Sequence, residues 1–199
     1  MIRVDQEIII PWMKEGSSVL DLGCGDGTLL RHLQESRNMH GYGLEIDQVK
    51  VISSIENGVN VIHADLDAGL NQYFDNDSFD YVIMTQTLQA IQRPDHLLQE
   101  MLRIGREGIV TFPNMGHWKS RLQLGLQGIM PVTRTLPYEW YNTPNIHLCT
   151  LQDFEALCER LNIRILQSRM VNFAQKSSTL IKLMPGLMGE IAVYHITRG

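Results

Sequence analysis

The residues best suited to chemistry stand in one short stretch, Asp21-x-Gly23-x-Gly25-x-Gly27, which ends an apolar run and precedes an amphipathic one. Glycines after a strand let backbone approach a ligand where side chains would block it. Their spacing separates two ligand classes. A dinucleotide-binding turn reads GxGxxG and lays helix N–H groups on a pyrophosphate. Here the glycines fall at every second position, and a carboxylate at the strand end would repel a phosphate. The pattern suits a ligand that carries positive charge. Glu45 follows 18 residues after Gly27.

This stretch resembles motif I of class I methyltransferases, whose cofactor S-adenosylmethionine bears an ammonium and a sulfonium. The resemblance implies that Glu45 holds the ribose hydroxyls and that Asp65, in His63-Ala-Asp65-Leu66, reads the adenine amino group. Asp21, Gly23, Gly25, Gly27, Glu45 and Asp65 are thus the expected residues of a site for S-adenosylmethionine or S-adenosylhomocysteine. The carboxylates also have plainer uses: Asp21 in tying down the loop, Asp65 in capping the next helix, and Asp47 as a solvated side chain or cap.

The elements that must position these residues alternate. A helix over residues 4 to 14 precedes a strand at Ser17 to Leu22, and a helix from Leu29 to Glu35 leads to a strand at Gly41 to Asp47. A helix near 48 to 57, a strand at Val59 to His63, the turn Asp75 to Ser78 and a strand at Phe79 to Met84 continue the pattern. Asp95 to Ile104 puts Leu97, Leu98, Met101 and Leu102 on one face, and Gly108 to Phe112 is the fifth strand. After a helix at Leu151 to Leu161 come strands at Ile163 to Leu166 and Ile191 to Ile196. The apolar segment Leu180 to Met188 between them fits no single element. The expected fold is α/β, of the class I S-adenosylmethionine-dependent methyltransferase (Rossmann-like) type. It is a mainly parallel seven-stranded sheet with helices on both faces, in one domain over residues 1–199.

An irregular lobe interrupts this order after strand five. Residues 113 to 149 hold four prolines, Trp118, Trp140, Tyr138 and Tyr141, a composition unlike a crossover helix. His117, His147 and Tyr138 are its candidate bases or hydrogen-bond donors, although such side chains equally serve as packed residues with a satisfied polar tip. Few residues precede the first strand, so the lobe is expected to supply parts of any acceptor pocket. After strand four, Thr85-Gln-Thr-Leu-Gln89 lacks the Asn/Asp-Pro-Pro-aromatic signature of amino-methylating nucleic-acid enzymes.

Composition narrows the partners. The 199-residue chain is 44% hydrophobic and 20% charged, the profile of one globular domain. A net charge of −5 argues against nonspecific nucleic-acid or anionic-membrane binding, which needs surplus Lys and Arg. Cys24, Cys149 and Cys158 form no CxxC pair, so neither a disulfide framework nor a metal site is expected. The run Ile8 to Met13 is too short for a signal peptide, and no span reaches membrane-helix length, so a cytoplasmic protein is expected.

Four segments carry a longer resemblance: Thr85 to Ala90, Phe112-Pro-Asn-Met-Gly-His-Trp118, Met130-Pro-Val-Thr133, and Leu136-Pro-Tyr-Glu-Trp-Tyr-Asn-Thr-Pro-Asn-Ile-His-Leu-Cys-Thr150. Together they resemble the MetW family of methionine-biosynthesis proteins along the whole chain. The resemblance implies work beside homoserine O-acyltransferase (acetyl- or succinyltransferase), an α/β-hydrolase enzyme, as a partner subunit that supports acylation of homoserine. Trp118, Tyr138, Trp140 and Tyr141 are then candidate docking anchors, because aromatic residues dominate interface hot spots. The intact glycine turn adds the expectation that the pocket binds S-adenosylmethionine and reports its level to the partner. The alternative is an S-adenosylmethionine-dependent methyltransferase acting on a small metabolite, with His117 or His147 as base.

Overall fold

In the computed structural model the described residues are 2–172, 181 and 183–199; Leu180 and Lys182 of the apolar segment lie outside them. The sheet contains β1 (Ser18–Leu22), β2 (His40–Glu45), β3 (Val61–His63), β4 (Phe79–Thr85), β5 (Gly105–Pro113), β6 (Ile163–Val171) and β7 (Ile191–Arg198). Their order is β3-β2-β1-β4-β5-β7-β6. The first five strands pair in parallel, and β7 enters antiparallel to both β5 and β6. This is the mainly parallel seven-stranded α/β sheet that the alternation implies.

The helices are α1 (Val4–Ile9), α2 (Thr28–Arg37), α3 (Gln48–Glu56), α4 (Pro94–Ile104), α5 (Trp118–Leu122), α6 (Leu151–Arg160) and α7 (Pro185–Met188). They cover both faces of the sheet because neighbouring strand residues point to opposite sides. On β4, Tyr81 and Ile83 pack with Ile9, Leu29, Leu30 and Leu33, whereas Val82 and Met84 pack with Leu97, Leu98, Met101 and Phe154. Each such side chain contributes roughly 1.5–3 kcal/mol on burial, so the two apolar layers fix the register of the strands between them.

Beyond shifts of a few residues at the ends of β2, β3 and β5, three regions differ from the sequence expectation. The first helix ends at Ile9 and tightens into a 3-10 turn over Ile10–Trp12, since Pro11 has no N–H to extend the α-helical ladder. The lobe contains α5, followed by a π-type turn over Gln123–Gln127. β6 continues to Val171, with a register shift between Ile165 and Gln167. Its polar Gln167, Ser168 and Arg169 mask an edge strand whose outer side faces water.

The chain lays β2 and β3 to one side of β1 and then crosses to lay β4 on the other. In sheets of this kind the crevice at that reversal, outside the carboxyl ends of the strands, receives the ligand.

Candidate functional site

A cavity of about 700 Å³ occupies this crevice. Its walls come from the turn after β1 (Gly23, Gly25), the end of β2 (Glu45 to Asp47), the loop after β3 (Asp65 to Asp67), the segment after β4 (Thr85 to Thr87) and the lobe (Arg134, Tyr138, Asn145).

The glycine turn is held by backbone and by one carboxylate. Gly23 N–H and Cys24 N–H both donate to the Leu44 carbonyl, at 2.8 and 3.0 Å. Gly25 N–H donates to Glu45 Oε2 at 2.9 Å, while Ile46 and Asp47 N–H groups donate to Oε1 at 3.0 Å each. Both Glu45 oxygens thereby orient the turn; Oε1 already takes two donors, and Oε2 retains acceptor capacity for one more. A Cβ on Gly23, at φ +79°, would stand 2.5 Å from Thr87 Oγ1. Glycine is thus what admits the segment after β4 so close to the turn. Around Gly25 a Cβ would meet nothing within 4 Å, because that position opens on the cavity.

Asp21 lies behind the turn and is 1% exposed. Its Oδ1 has no hydrogen-bond partner. Burial lifts its pKa from the ordinary value near 3.8 to about 7; the positive charge of Arg3 opposes the rise and the negative charge of Glu45 adds to it. A buried carboxylate with an orphan oxygen is costly unless a donor or cation meets it.

Asp65 lines the cavity and also caps the 3-10 turn Leu66–Ala68, accepting from Asp67 N–H at 2.9 Å. Asp47 caps α3 by accepting from Val49 and Lys50 N–H groups. Gly27 stands at φ +74° as the N-cap of α2 and supports the turn from outside the cavity wall.

Of the three candidate bases in the lobe, Tyr138 alone lines this cavity. His117 is buried just before α5, where burial lowers its pKa and favours the neutral imidazole. His147 lines a separate apolar pocket of about 230 Å³ with Phe112, Cys149 and Phe154, and its Nε2 sits 3.2 Å from the Gln92 carbonyl. Burial pushes the Cys24, Cys149 and Cys158 thiols up to about 12, so they behave as small core residues rather than nucleophiles.

Sequence reasoning missed several wall residues. Gln86 adopts φ +57°, a rare conformation for a residue with a side chain, and Gln89 keeps a buried Oε1 without a partner. Both fall inside Thr85 to Ala90, one of the segments that carry the family resemblance. The Gln89 carbonyl accepts from Ile146 and His147 N–H groups at 2.7 and 2.9 Å, so the lobe hangs from the cavity wall. Arg3, on the wall across from Glu45, gave no signal of its own.

The lobe presents large apolar side chains to solvent. Trp140 is 74% exposed, Tyr141 67% and Leu126 78%, with Trp118 and Tyr138 also exposed. Trp140 and Tyr141 also meet edge to face, with ring centroids 5.7 Å apart, and large apolar side chains exposed in one segment mark interaction surfaces more often than they occur idly.

Comparison with known proteins agrees with the architecture. One chain of a solved structure, the S-adenosylmethionine-dependent methyltransferase from Mesorhizobium loti, superposes with a TM-score of 0.72 at 16% identity, covering 98% of each chain. The Haloferax volcanii complex of the Trm112 methyltransferase activator with a putative methyltransferase contains a chain with TM-score 0.68 and 15% identity, over 98% of this chain and 88% of that one. These likenesses show the class I methyltransferase fold. The bifunctional methionine biosynthesis protein MetXA/MetW of Rhodopirellula baltica is 38% identical over 82% of this chain, which spans 28% of that longer relative. A family model described as methionine biosynthesis protein MetW matches residues 3–196, and the chain belongs to that family.

Proposed function

We propose that the cavity binds S-adenosylmethionine or S-adenosylhomocysteine and that the protein serves as a partner subunit of homoserine O-acyltransferase in methionine biosynthesis. The binding half of this reading is supported by the orphan oxygen of buried Asp21 beside a turn that only glycine can form. An ammonium against Asp21 would satisfy that oxygen and offset its burial. Glu45 Oε2 has a lone-pair site left for a ribose hydroxyl, Gly23, Gly25 and Gly27 keep the turn open, and Asp65 lines the cavity as an acceptor for an adenine amino group. When bound, S-adenosylmethionine supplies a transferable methyl group; the residues around it orient the ligand and exclude water.

The observation that carries the partner half is the Rhodopirellula relative, named for MetXA and MetW together in one chain. Fusion keeps two modules at high effective concentration, which suits proteins that act in contact. The MetW-family resemblance supplies the identity of the other module as homoserine O-acyltransferase, and the exposed aromatic lobe supplies a surface for it. Copurification of the two proteins, followed by acyltransferase assay with and without this chain, tests the reading. A complex with an altered rate is expected; no complex and an unchanged rate would overturn it.

A second reading, methyl transfer to a small metabolite, is favoured by the fold of the Mesorhizobium enzyme. It draws on Tyr138 as the cavity's candidate proton acceptor, and in-line transfer to an already nucleophilic acceptor needs no base. Transfer of label from S-adenosylmethionine into cell extract by the wild type and not by Gly25→Arg would favour it over the partner reading.

A further inference from the structure

The lobe begins with a finger of chain that has most of its surface in water. α5 runs into the π-type turn over Gln123–Gln127, and Gly128, at φ +67°, ends it. The Gln123 side chain then clamps the returning chain: its Oε1 accepts from Val132 N–H at 2.8 Å, and its Nε2 donates to the Val132 carbonyl at 3.1 Å. The base is fastened too. Arg121 Nε donates to the Gly116 carbonyl at 2.6 Å, Thr133 and Leu136 exchange backbone hydrogen bonds, and Pro131 and Leu136 are buried. The finger is thus folded before any partner arrives.

Its side chains are arranged in two layers. Leu122, Leu124, Leu126, Ile129, Met130 and Val132 are 43% to 78% exposed, and no charged residue stands between Arg121 and Arg134. Lys119, Arg121 and Arg134 flank this stretch, and no Asp or Glu occurs between Glu107 and Glu139. From elsewhere in the chain, Glu190 comes within 3.9 Å of Lys119. The result is an uncharged apolar tip on a cationic base, in a chain whose net charge is −5. Such a finger complements an apolar groove whose mouth is lined by carboxylates: the tip fills the groove and the base meets the rim. Finger against finger across a two-fold axis would set cation against cation. An anionic membrane would attract the base but repel the acidic remainder of the chain.

We propose that the finger is a docking element that inserts into an acid-rimmed apolar groove on a partner protein. The proposal rests on the partner reading above and takes homoserine O-acyltransferase as that protein. A finger that is already folded spares the complex the cost of ordering it, so the apolar tip acts on dissociation while the cationic base steers approach.

Surface plasmon resonance of the full chain against immobilised homoserine O-acyltransferase separates tip from base. Leu126→Asp is expected to weaken the complex about 30-fold or more, mostly through faster dissociation. Lys119→Glu is expected to slow association about ten-fold at low salt and hardly at all at high salt. Val49→Asp, which puts the same charge on a comparably exposed apolar residue of α3, is expected to bind as the wild type does. Thermal melts check that the variants fold, and Leu126→Gln takes the place of Leu126→Asp should the latter melt early. Wild-type affinity that survives the Leu126 substitution, an equal loss in Val49→Asp, or unchanged association of Lys119→Glu at low salt would overturn the proposal and leave the partner reading standing. Absence of any wild-type complex would overturn both. Wild-type dimers lost in the Leu126 variant, or finger-dependent binding to phosphatidylglycerol vesicles, would overturn it by assigning the face to a second copy or to a membrane.

Discussion

Gly25 donates its backbone N–H to Glu45 Oε2 at 2.9 Å, so the turn after β1 and the acid after β2 form one unit although 20 residues separate them. Glu45→Ala removes the acceptor for three backbone donors at once. It should cost about 1–3 kcal/mol of stability, read as a lower urea midpoint, and should abolish nucleoside binding. Glu45→Gln, which keeps a carbonyl acceptor, should recover part of the stability. Equal midpoints for wild type and Glu45→Ala would contradict this linkage.

Burial lifts the Asp21 pKa to about 7, so the unliganded protein takes up and releases this proton around neutral pH. A cationic ligand group needs it ionised, so nucleoside affinity should rise between pH 6 and pH 8 and level off above, with proton release on binding near pH 7. An acid raised above its unfolded value holds extra protons when folded, so the unliganded protein loses stability as pH climbs from about 4 to about 7. Asp21→Asn should therefore melt roughly 2 °C or more above wild type at pH 8, with little change at pH 4, while binding poorly. An affinity flat across this pH range would sink the assignment.

Two of the three turn glycines, Gly23 and Gly25, should respond differently to alanine. Gly23→Ala drives a Cβ into Thr87 and adds left-handed strain, so it should destabilise by roughly 2 kcal/mol or more and be partly rescued by Thr87→Ala. Gly25→Ala meets only the strain, about 1–2 kcal/mol, yet projects into the cavity and should weaken nucleoside binding the more. Thermal melts paired with titrations check both, and identical behaviour of the two variants would count against the cavity geometry.

Trp140 and Tyr141 should matter to a partner and not to the fold. Substituting either by alanine should leave the stability of the isolated chain within about 0.5 kcal/mol, because their surfaces already face water. In the proposed complex with homoserine O-acyltransferase, binding should weaken by about 2 kcal/mol, near 30-fold. A loss of stability with unchanged binding would make them packing residues.

If the cavity reports the nucleoside to the partner, reciprocity demands that saturating S-adenosylmethionine change the affinity between the two proteins, and that the partner change nucleoside affinity by the same factor. Equal affinities with and without the nucleoside, together with unchanged acyltransferase rates, would end the sensing idea.

What was readable in the sequence was local. Buried strands announce themselves as apolar runs, and a turn that needs several positive φ angles announces itself as glycine, so β1, the turn and Glu45 stood out together. The missing part was assembled from afar. Arg3 meets the Thr85 carbonyl 82 positions away, and its partner Asp5 meets Thr111 across 106; no local pattern records such pairs. Gln86 and Gln89 lay within a recognised segment, yet their place in the cavity depends on how the lobe folds back onto the Gln89 carbonyl. β6 runs on to Val171, past the apolar stretch that ends at Leu166, because an edge strand does not require alternation on its wet side.

β7 has one further consequence, in the order of synthesis. It fills the slot between β5 and β6, yet it leaves the ribosome after both. Until Ile191–Arg198 emerges, β5 has an open edge over the stretch that β7 later pairs, Glu107 to Pro113, and β6 has no neighbour in the sheet. The nascent chain therefore holds the strands of its ligand crevice before it can close the far side of its sheet, and in that interval its unpaired edge is open to other chains.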